Sequence, residues 1–162
     1  INKLTGTHTL SFKFKQKISN KEEHGDCFIK YPLLIKCNYK NLKKKVIISN
    51  GKTVAVIKRK YKKIYLYPLK TTPLFLILQK EKIINLVRKT KPIKVDNNII
   101  EFTFVDKKSN KIKILFDSKS LNLKGWKTKD AYSNNVSFEI SSLIINNQIV
   151  DDFFKIPREE DL

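Results

Sequence analysis

Two histidines, two cysteines and scattered carboxylates are all that this chain of 162 residues offers for catalysis or metal binding. His8 and His24 have no second His or Cys at metal-ligand spacing, so no metal site is expected. Glycines stand singly at 6, 25, 51 and 125, which leaves no glycine-rich loop to cradle a phosphate. No nucleophile elbow or Ser-His-Asp order is present. The acidic groups Glu22-Glu23, Asp151-Asp152 and Glu159-Glu160-Asp161 sit in turn-like or terminal stretches, where carboxylates are expected to be solvated. The chain therefore reads as a non-enzyme with no catalytic residue, metal or cofactor.

Cys27 and Cys37 flank Pro32 symmetrically, and a hairpin turn at Pro32 would bring them face to face across antiparallel strands. An oxidising compartment would permit a disulfide there. Two buried thiols are the commoner fate of cysteine, and directly opposed strand positions give awkward disulfide geometry, so free thiols are favoured.

Basic residues number 34 against 15 acidic ones, a formal net charge of +19. Arginine occurs only at 59, 88 and 158, so 31 of the cations are lysines. Readers of nucleic acid lean on arginine for bidentate contacts. Lysine here accompanies abundant Ile and Asn, and a compositional bias toward A/T-rich codons is favoured over a selected polyanion site. One run, Lys58-Arg59-Lys60-Tyr61-Lys62-Lys63-Ile64-Tyr65-Leu66-Tyr67, interleaves cations with aromatics as single-strand binders do. The wet tip of an ordinary hairpin has the same composition and is the favoured reading.

The length suits one domain, and 41% hydrophobic residues are enough for a core despite 30% charged. No stretch approaches the roughly 18 uninterrupted apolar residues of a membrane span, so a soluble protein is expected. The chain begins at Ile1 and lacks methionine, so it reads as a processed or trimmed product from which any export signal would have been removed, and the absence of one is uninformative. Ile1–Leu4 reads as the last turn of a mostly absent helix, ended near Gly6.

Strict alternation marks the strands. Leu10, Phe12, Phe14, Gln16 and Ile18 share one face of the first, with lysines on the other. Cys27–Tyr31 and Leu33–Tyr39 follow, bent at Pro32, and then Val46–Ser49. Asn50-Gly51 is a tight turn before Thr53–Ile57 and Ile64–Tyr67. Thr72-Pro73 predicts an N-cap and first helical residue for Leu74–Leu78, which is apolar almost all round and must be covered on several sides. Gln79–Lys82 reads as a polar break, Ile83–Arg88 as a second short helix ended by Pro92.

Further strands are expected at Lys94–Asp96, Ile99–Val105, Lys111–Phe116, Leu121–Thr128 and Val136–Ile145. Asp96-Asn97-Asn98, Lys108-Ser109-Asn110 and Ser133-Asn134-Asn135 read as turns. Asn146-Asn147 reverses the chain before Phe153–Ile156, and Pro157 opens a polar tail. The pattern predicts a mainly β (α+β) fold, a single incomplete antiparallel β-barrel covered by short helices.

Several segments in this order resemble the LolA family of periplasmic lipoprotein carriers. They are Phe14-Lys15-Gln16, Gly25 to Pro32, Ser49-Asn50-Gly51-Lys52-Thr53, Tyr67 to Leu74, Leu123-Lys124-Gly125-Trp126, and Phe153 to Pro157. The resemblance covers nearly the whole chain as a single domain, residues 1–162. It implies an unfinished barrel whose apolar cavity accepts lipoprotein acyl chains and whose helical lid opens and closes. It also implies a monomeric periplasmic protein, exported with a cleaved signal peptide. Its partners would be an inner-membrane ABC exporter and an outer-membrane acceptor, or the outer membrane itself, with no nucleic acid.

On that reading Leu10, Phe12, Phe14, Ile29, Ile35, Cys37, Val54 and Val56 line the cavity, and Leu74, Phe75, Ile77 and Leu78 form the lid. Tyr31 stands where the family places a latch arginine, and its hydroxyl would bond a lid carbonyl instead. Ala55 replaces a family tryptophan. The plainer alternative makes all of these core residues of a filled barrel. Two other functions compete: a basic barrel binding single-stranded nucleic acid, and a sensor or scaffold of the same fold that shuttles nothing.

Overall fold

The computed structural model describes residues 2–94, 96, 98–105, 110–130 and 132–162. Among these described residues the alternating segments form eleven strands: β1 (Thr9–Ile18), β2 (Lys21–Lys30), β3 (Leu34–Tyr39), β4 (Lys45–Asn50), β5 (Thr53–Lys58), β6 (Lys63–Pro68), β7 (Ile93–Lys94), β8 (Ile99–Val105), β9 (Lys111–Asp117), β10 (Leu123–Lys129) and β11 (Asn135–Ile145). Three short helices accompany them among the described residues: α1 (Asn2–Thr5), α2 (Leu74–Ile77) and α3 (Lys80–Lys89). None is long and apolar enough to cross a membrane. All strands share one antiparallel sheet in the order β6-β5-β4-β3-β2-β1-β11-β10-β9-β8-β7. Two meanders thus meet at the β1–β11 seam, and β6 and β7 remain unpaired edges, the expected incomplete barrel.

One face of the sheet packs Leu10, Phe12, Phe14, Ile29, Ile35, Phe102, Ile114, Trp126, Phe138 and Ile140 against α2 and α3. Aromatic rings run across the seam. Trp126 stacks on Phe138 with centroids 4.3 Å apart, Phe138 on Phe14 at 4.9 Å, and Phe14 meets Tyr39 edge-on at 4.8 Å. Gly25 lies opposite Phe14, and a side chain there would strike the Asn38 carbonyl and the Phe14 ring.

The other face of β4 and β5 is covered too. Val46, Ile48, Ala55 and Ile57 share a second cluster with Phe154, and Ile149, Phe153, Ile156 and Leu162 pack around it. Here the expected Phe153–Ile156 element differs. Asp151–Phe154 is a 3-10 turn, and the chain beyond it lies against the sheet instead of trailing as a polar tail. Lys30 fastens this segment, its ammonium donating to the Ile149 carbonyl and pairing with Asp151 at 2.7 Å. Ala55 is fully buried in that cluster, so it sits under the C-terminal segment and not among the residues facing the helices.

Three further expectations are corrected. The cysteines are disulfide-bonded, because the β2–β3 register places Cys27 opposite Cys37 with Cα atoms only 4.1 Å apart. α3 begins at Lys80, so Gln79–Lys82 is no break: Glu81 and Lys82 are the wet side of a first turn whose next residues, Ile83 and Ile84, are buried. Strand β2 begins at Lys21, well before Cys27, since Lys21–Asp26 pairs along β1 despite its polarity. Val95 of the expected Lys94–Asp96 strand lies outside the described residues. So do Asn97 and Lys108-Ser109 of two expected turns.

Glu23, expected in water, is buried within β2. Its carboxylate pairs with Lys45 at 3.1 Å and accepts from the Asn41 amide at 2.8 Å. Burial alone would raise its pKa, but the bonds and charge from Lys45, with Asn41, hold the carboxyl below the usual carboxylate range. A lowered native pKa means its stabilisation is complete above the unfolded value near ~4.3 and is lost as pH falls through the lower native value. Glu23→Gln is therefore expected to flatten the acid limb of the melting-temperature profile in that window. An unchanged limb would show that the pair contributes nothing there.

Candidate functional site

The roof starts where β6 ends. Pro68 leads into a 3-10 turn, Leu69–Thr71, whose Leu69 is buried. Thr72 closes that turn by donating from its hydroxyl to the Leu69 carbonyl at 2.9 Å. It therefore does not cap α2 through its side chain as expected. α2 itself is a single turn, bonded from Leu78 N–H to the Leu74 carbonyl at 2.9 Å. Leu76, Ile77 and Leu78 are buried, while Leu74 and Phe75 are half-buried, with the Lys82 ammonium 4.9 Å over the Phe75 ring.

The predicted cavity residues come together beneath this roof. Leu10, Phe12, Phe14, Ile29, Ile35, Cys37 and Val54 are each at most 4% exposed and share one cluster with Leu76, Ile77, Leu78 and Ile83. Val56 lies on the same face, opposite Ile47, and is half-buried. The helices fill the space above these residues in this conformation.

Tyr31 stands beside the roof without latching it. Its backbone N–H donates to the His8 carbonyl at 2.9 Å, but its buried hydroxyl has no protein partner among the described residues. Burial pushes that phenol's pKa well up. The tie to the roof is made by the main chain two residues on. After the cis Tyr31–Pro32 bond, Leu33 takes a positive φ and its N–H donates to the Leu78 carbonyl at 2.9 Å. The buried Ser49 hydroxyl donates to the Leu33 carbonyl at 2.7 Å, fixing this turn to β4. A bond between two main-chain groups has no side-chain signature, so residue types alone do not reveal it.

Open space lies on the other side of α2. A cleft of about 680 Å³ separates Pro73, Phe75 and Leu76 from Phe104, Ile112 and Thr128 of β8 to β10. That volume falls inside the ~300–1,000 Å³ of small-molecule sites. Lys70, Lys82, Lys111 and Lys129 stand at its rim, all exposed. The nearby Asp130 is occupied with its own turn, accepting from the backbone N–H groups of Tyr132 and Asn134 at 2.9 Å, and these bonds hold its carboxyl below the usual range. Phe104, Ile112 and Leu76 were absent from the predicted lining. The alternation in Ile99–Val105 and Lys111–Phe116 carried the signal, but which helix would face those strands did not follow from it. Among the described residues no group of three or more His, Cys, Asp or Glu side chains could hold a metal ion.

Known proteins share this architecture. A protein from Thermus thermophilus described as an uncharacterized conserved protein superposes with a TM-score of 0.58 at 7% identity, covering 98% of this chain and 90% of its own. MucB in the Pseudomonas aeruginosa MucA/MucB complex gives 0.52 at 8% identity, with 97% of this chain and 58% of that chain covered. A putative outer membrane lipoprotein-sorting protein domain from Vibrio parahaemolyticus gives 0.49 at 10% identity, covering 91% and 89%. No match is found among curated protein sequences. The family model of the outer membrane lipoprotein carrier protein LolA matches residues 5–157, and the chain belongs to that family.

Proposed function

We propose that this chain is a periplasmic carrier that shelters lipoprotein acyl chains between α2 and the β8–β10 arm. It would receive them from an inner-membrane ABC exporter and pass them to an outer-membrane acceptor or to the outer membrane itself. The observation carrying this reading is the 680 Å³ cleft beside a one-turn helix, walled by Phe75, Leu76, Phe104 and Ile112. Each methylene moved out of water gains about 0.8 kcal/mol, so a cargo chain needs apolar surface such as Phe75, Leu76, Phe104, Val105 and Ile112 give to this otherwise polar-rimmed cleft. Lifting α2 would join the cleft to the apolar face holding Phe14, Ile29 and Ile35, at the cost of the bond from Leu33 to Leu78 and the contacts beneath the helix. The Cys27–Cys37 disulfide supports an oxidising compartment.

An environment-sensitive fatty-acyl probe is expected to bind and to be displaced by a diacylated lipopeptide. Thr128→Trp, which fills the cleft from a half-buried strand position, is expected to weaken the probe about tenfold or more, roughly 1.4 kcal/mol, without lowering the melting temperature. A probe that does not bind, or binds the variant equally well, overturns the assignment of the cleft. A sensor or scaffold that engages a protein partner is the second reading, motivated by the likeness to MucB in its complex with MucA. It predicts capture of an envelope protein by a chain whose organic extract contains no acyl chains.

A further inference from the structure

The β3–β4 and β5–β6 turns lie side by side. Arg59 N–H donates to the Lys44 carbonyl at 3.4 Å and Lys60 N–H to the Lys43 carbonyl at 3.3 Å, joining two connections that are distant in sequence. Each turn is also fixed internally. Asn41 accepts from Lys45 N–H on its side-chain oxygen and donates from its amide to the buried Glu23. Lys44 and Lys62 take left-handed backbone conformations that close the two bends.

What this rigid tip presents is unusual for a solvated loop. Leu42 is 87% exposed, the highest value of any large hydrophobic residue described, and Tyr61 is 52% exposed. Residues 40–45 and 58–63 hold nine cations and no carboxylate. Asp26, Glu23 and Glu159 pair with Lys40, Lys45 and Lys63, but Lys43, Lys44, Arg59, Lys60 and Lys62 are exposed and have no carboxylate partner among the described residues. A compositional excess of lysine accounts for charge spread over the surface. It does not account for an aliphatic side chain left exposed on a turn whose neighbours are all cationic or polar.

We propose that this tip docks the protein on a bilayer containing anionic lipid. Leu42 and Tyr61 enter the headgroup region, and the surrounding lysines meet lipid phosphates while their stems lie along the interface. Apolar insertion and cationic attraction are each weak alone, and together they give reversible peripheral binding. A single-stranded nucleic acid fits the tip less well. Stacking needs aromatic faces, and Tyr61 is the tip's sole aromatic residue, while Leu42 has none to offer. The proposal stands apart from the cleft and does not depend on what the cleft holds.

Co-sedimentation with vesicles tests it. The whole chain is expected to pellet with phosphatidylcholine–phosphatidylglycerol vesicles, to remain in solution with pure phosphatidylcholine, and to be released by raising salt. Leu42→Asp is expected to lower the partition coefficient about tenfold or more. Lys43→Ser with Lys60→Ser should do the same, whereas Lys124→Ser with Lys127→Ser, an equal change of charge at exposed β10 positions, should lower it less than threefold. Far-ultraviolet circular dichroism and melting temperature check that each variant folds. The proposal is overturned if the protein fails to pellet with anionic vesicles, or if Leu42→Asp binds like the parent. Equal losses from the two lysine pairs would also overturn it, as would tight binding to a single-stranded oligonucleotide in place of vesicles.

Discussion

Phe138→Ala is expected to destabilise the protein by about 3–5 kcal/mol, the range for truncating a buried phenylalanine, and to lower its melting temperature by about 10 °C. Phe138 is 5% exposed on β11 and meets three rings: Trp126 and Phe14 stack on its two sides, and Phe12 meets it edge-on at 6.2 Å. Removing it opens a void between aromatic planes that cannot collapse, because each belongs to a strand whose register is fixed by the ladder. Phe138→Leu keeps most of the volume and loses only ring stacking, about 0.5–1.5 kcal/mol per pair, so it should fall between the parent and the alanine variant. Denaturation of both variants by urea decides the point. A loss below about 1 kcal/mol for Phe138→Ala would mean that the seam is not the packed centre of the fold.

Gly125→Ala is expected to cost about 3 kcal/mol or more from a single added methyl. Gly125 sits at φ 148° beside an irregularity in the β9–β10 pairing, and a Cβ there would lie 1.9 Å from the Phe138 carbonyl oxygen. That oxygen belongs to the neighbouring strand, so relief requires the sheet to shift and not a side chain to turn. Gly51→Ala is the control. Its φ of 99° is also left-handed, but the nearest atom to an added Cβ is 3.9 Å away, so only the backbone penalty of roughly 1–2 kcal/mol applies. Urea midpoints with unchanged slopes would measure both. Equal losses at the two sites would remove close strand approach as the reason for glycine at position 125.

Much of this architecture was legible because period-two alternation survives wherever one face is wet. Ile99–Val105 matches its predicted strand end to end, and the first strand differs by one residue. The reading failed where a partner comes from far along the chain. Lys21–Asp26 looked like a polar turn because Glu23 finds Lys45 only once the chain has run through β3 to the start of β4. The runs Val46-Ile47-Ile48 and Val54-Ala55-Val56-Ile57 carried a signal that both faces are covered, yet nothing in them says that the cover is the C-terminal segment around Phe153, Phe154 and Ile156. In the site, the stripe from Leu10 to Cys37 was legible on one arm. The cleft wall at Phe104 and Ile112 was not, since it depends on how the second arm curls toward α2. The disulfide turned on a Cα separation that symmetry about Pro32 suggests and cannot supply.

The strand order also dictates how the chain can assemble in time. Every pairing from β1 to β6 and from β7 to β11 joins sequence neighbours, so each arm can form from local contacts. The β1–β11 register alone joins residues more than a hundred positions apart, and the entropy of closing that long loop falls on this one step. The hydrophobic face is divided by this seam, with Phe14 on one arm and Phe138 and Trp126 on the other. The nascent protein is thus two sticky halves awaiting one zipper, and its interval of greatest exposure to aggregation ends when those rings meet.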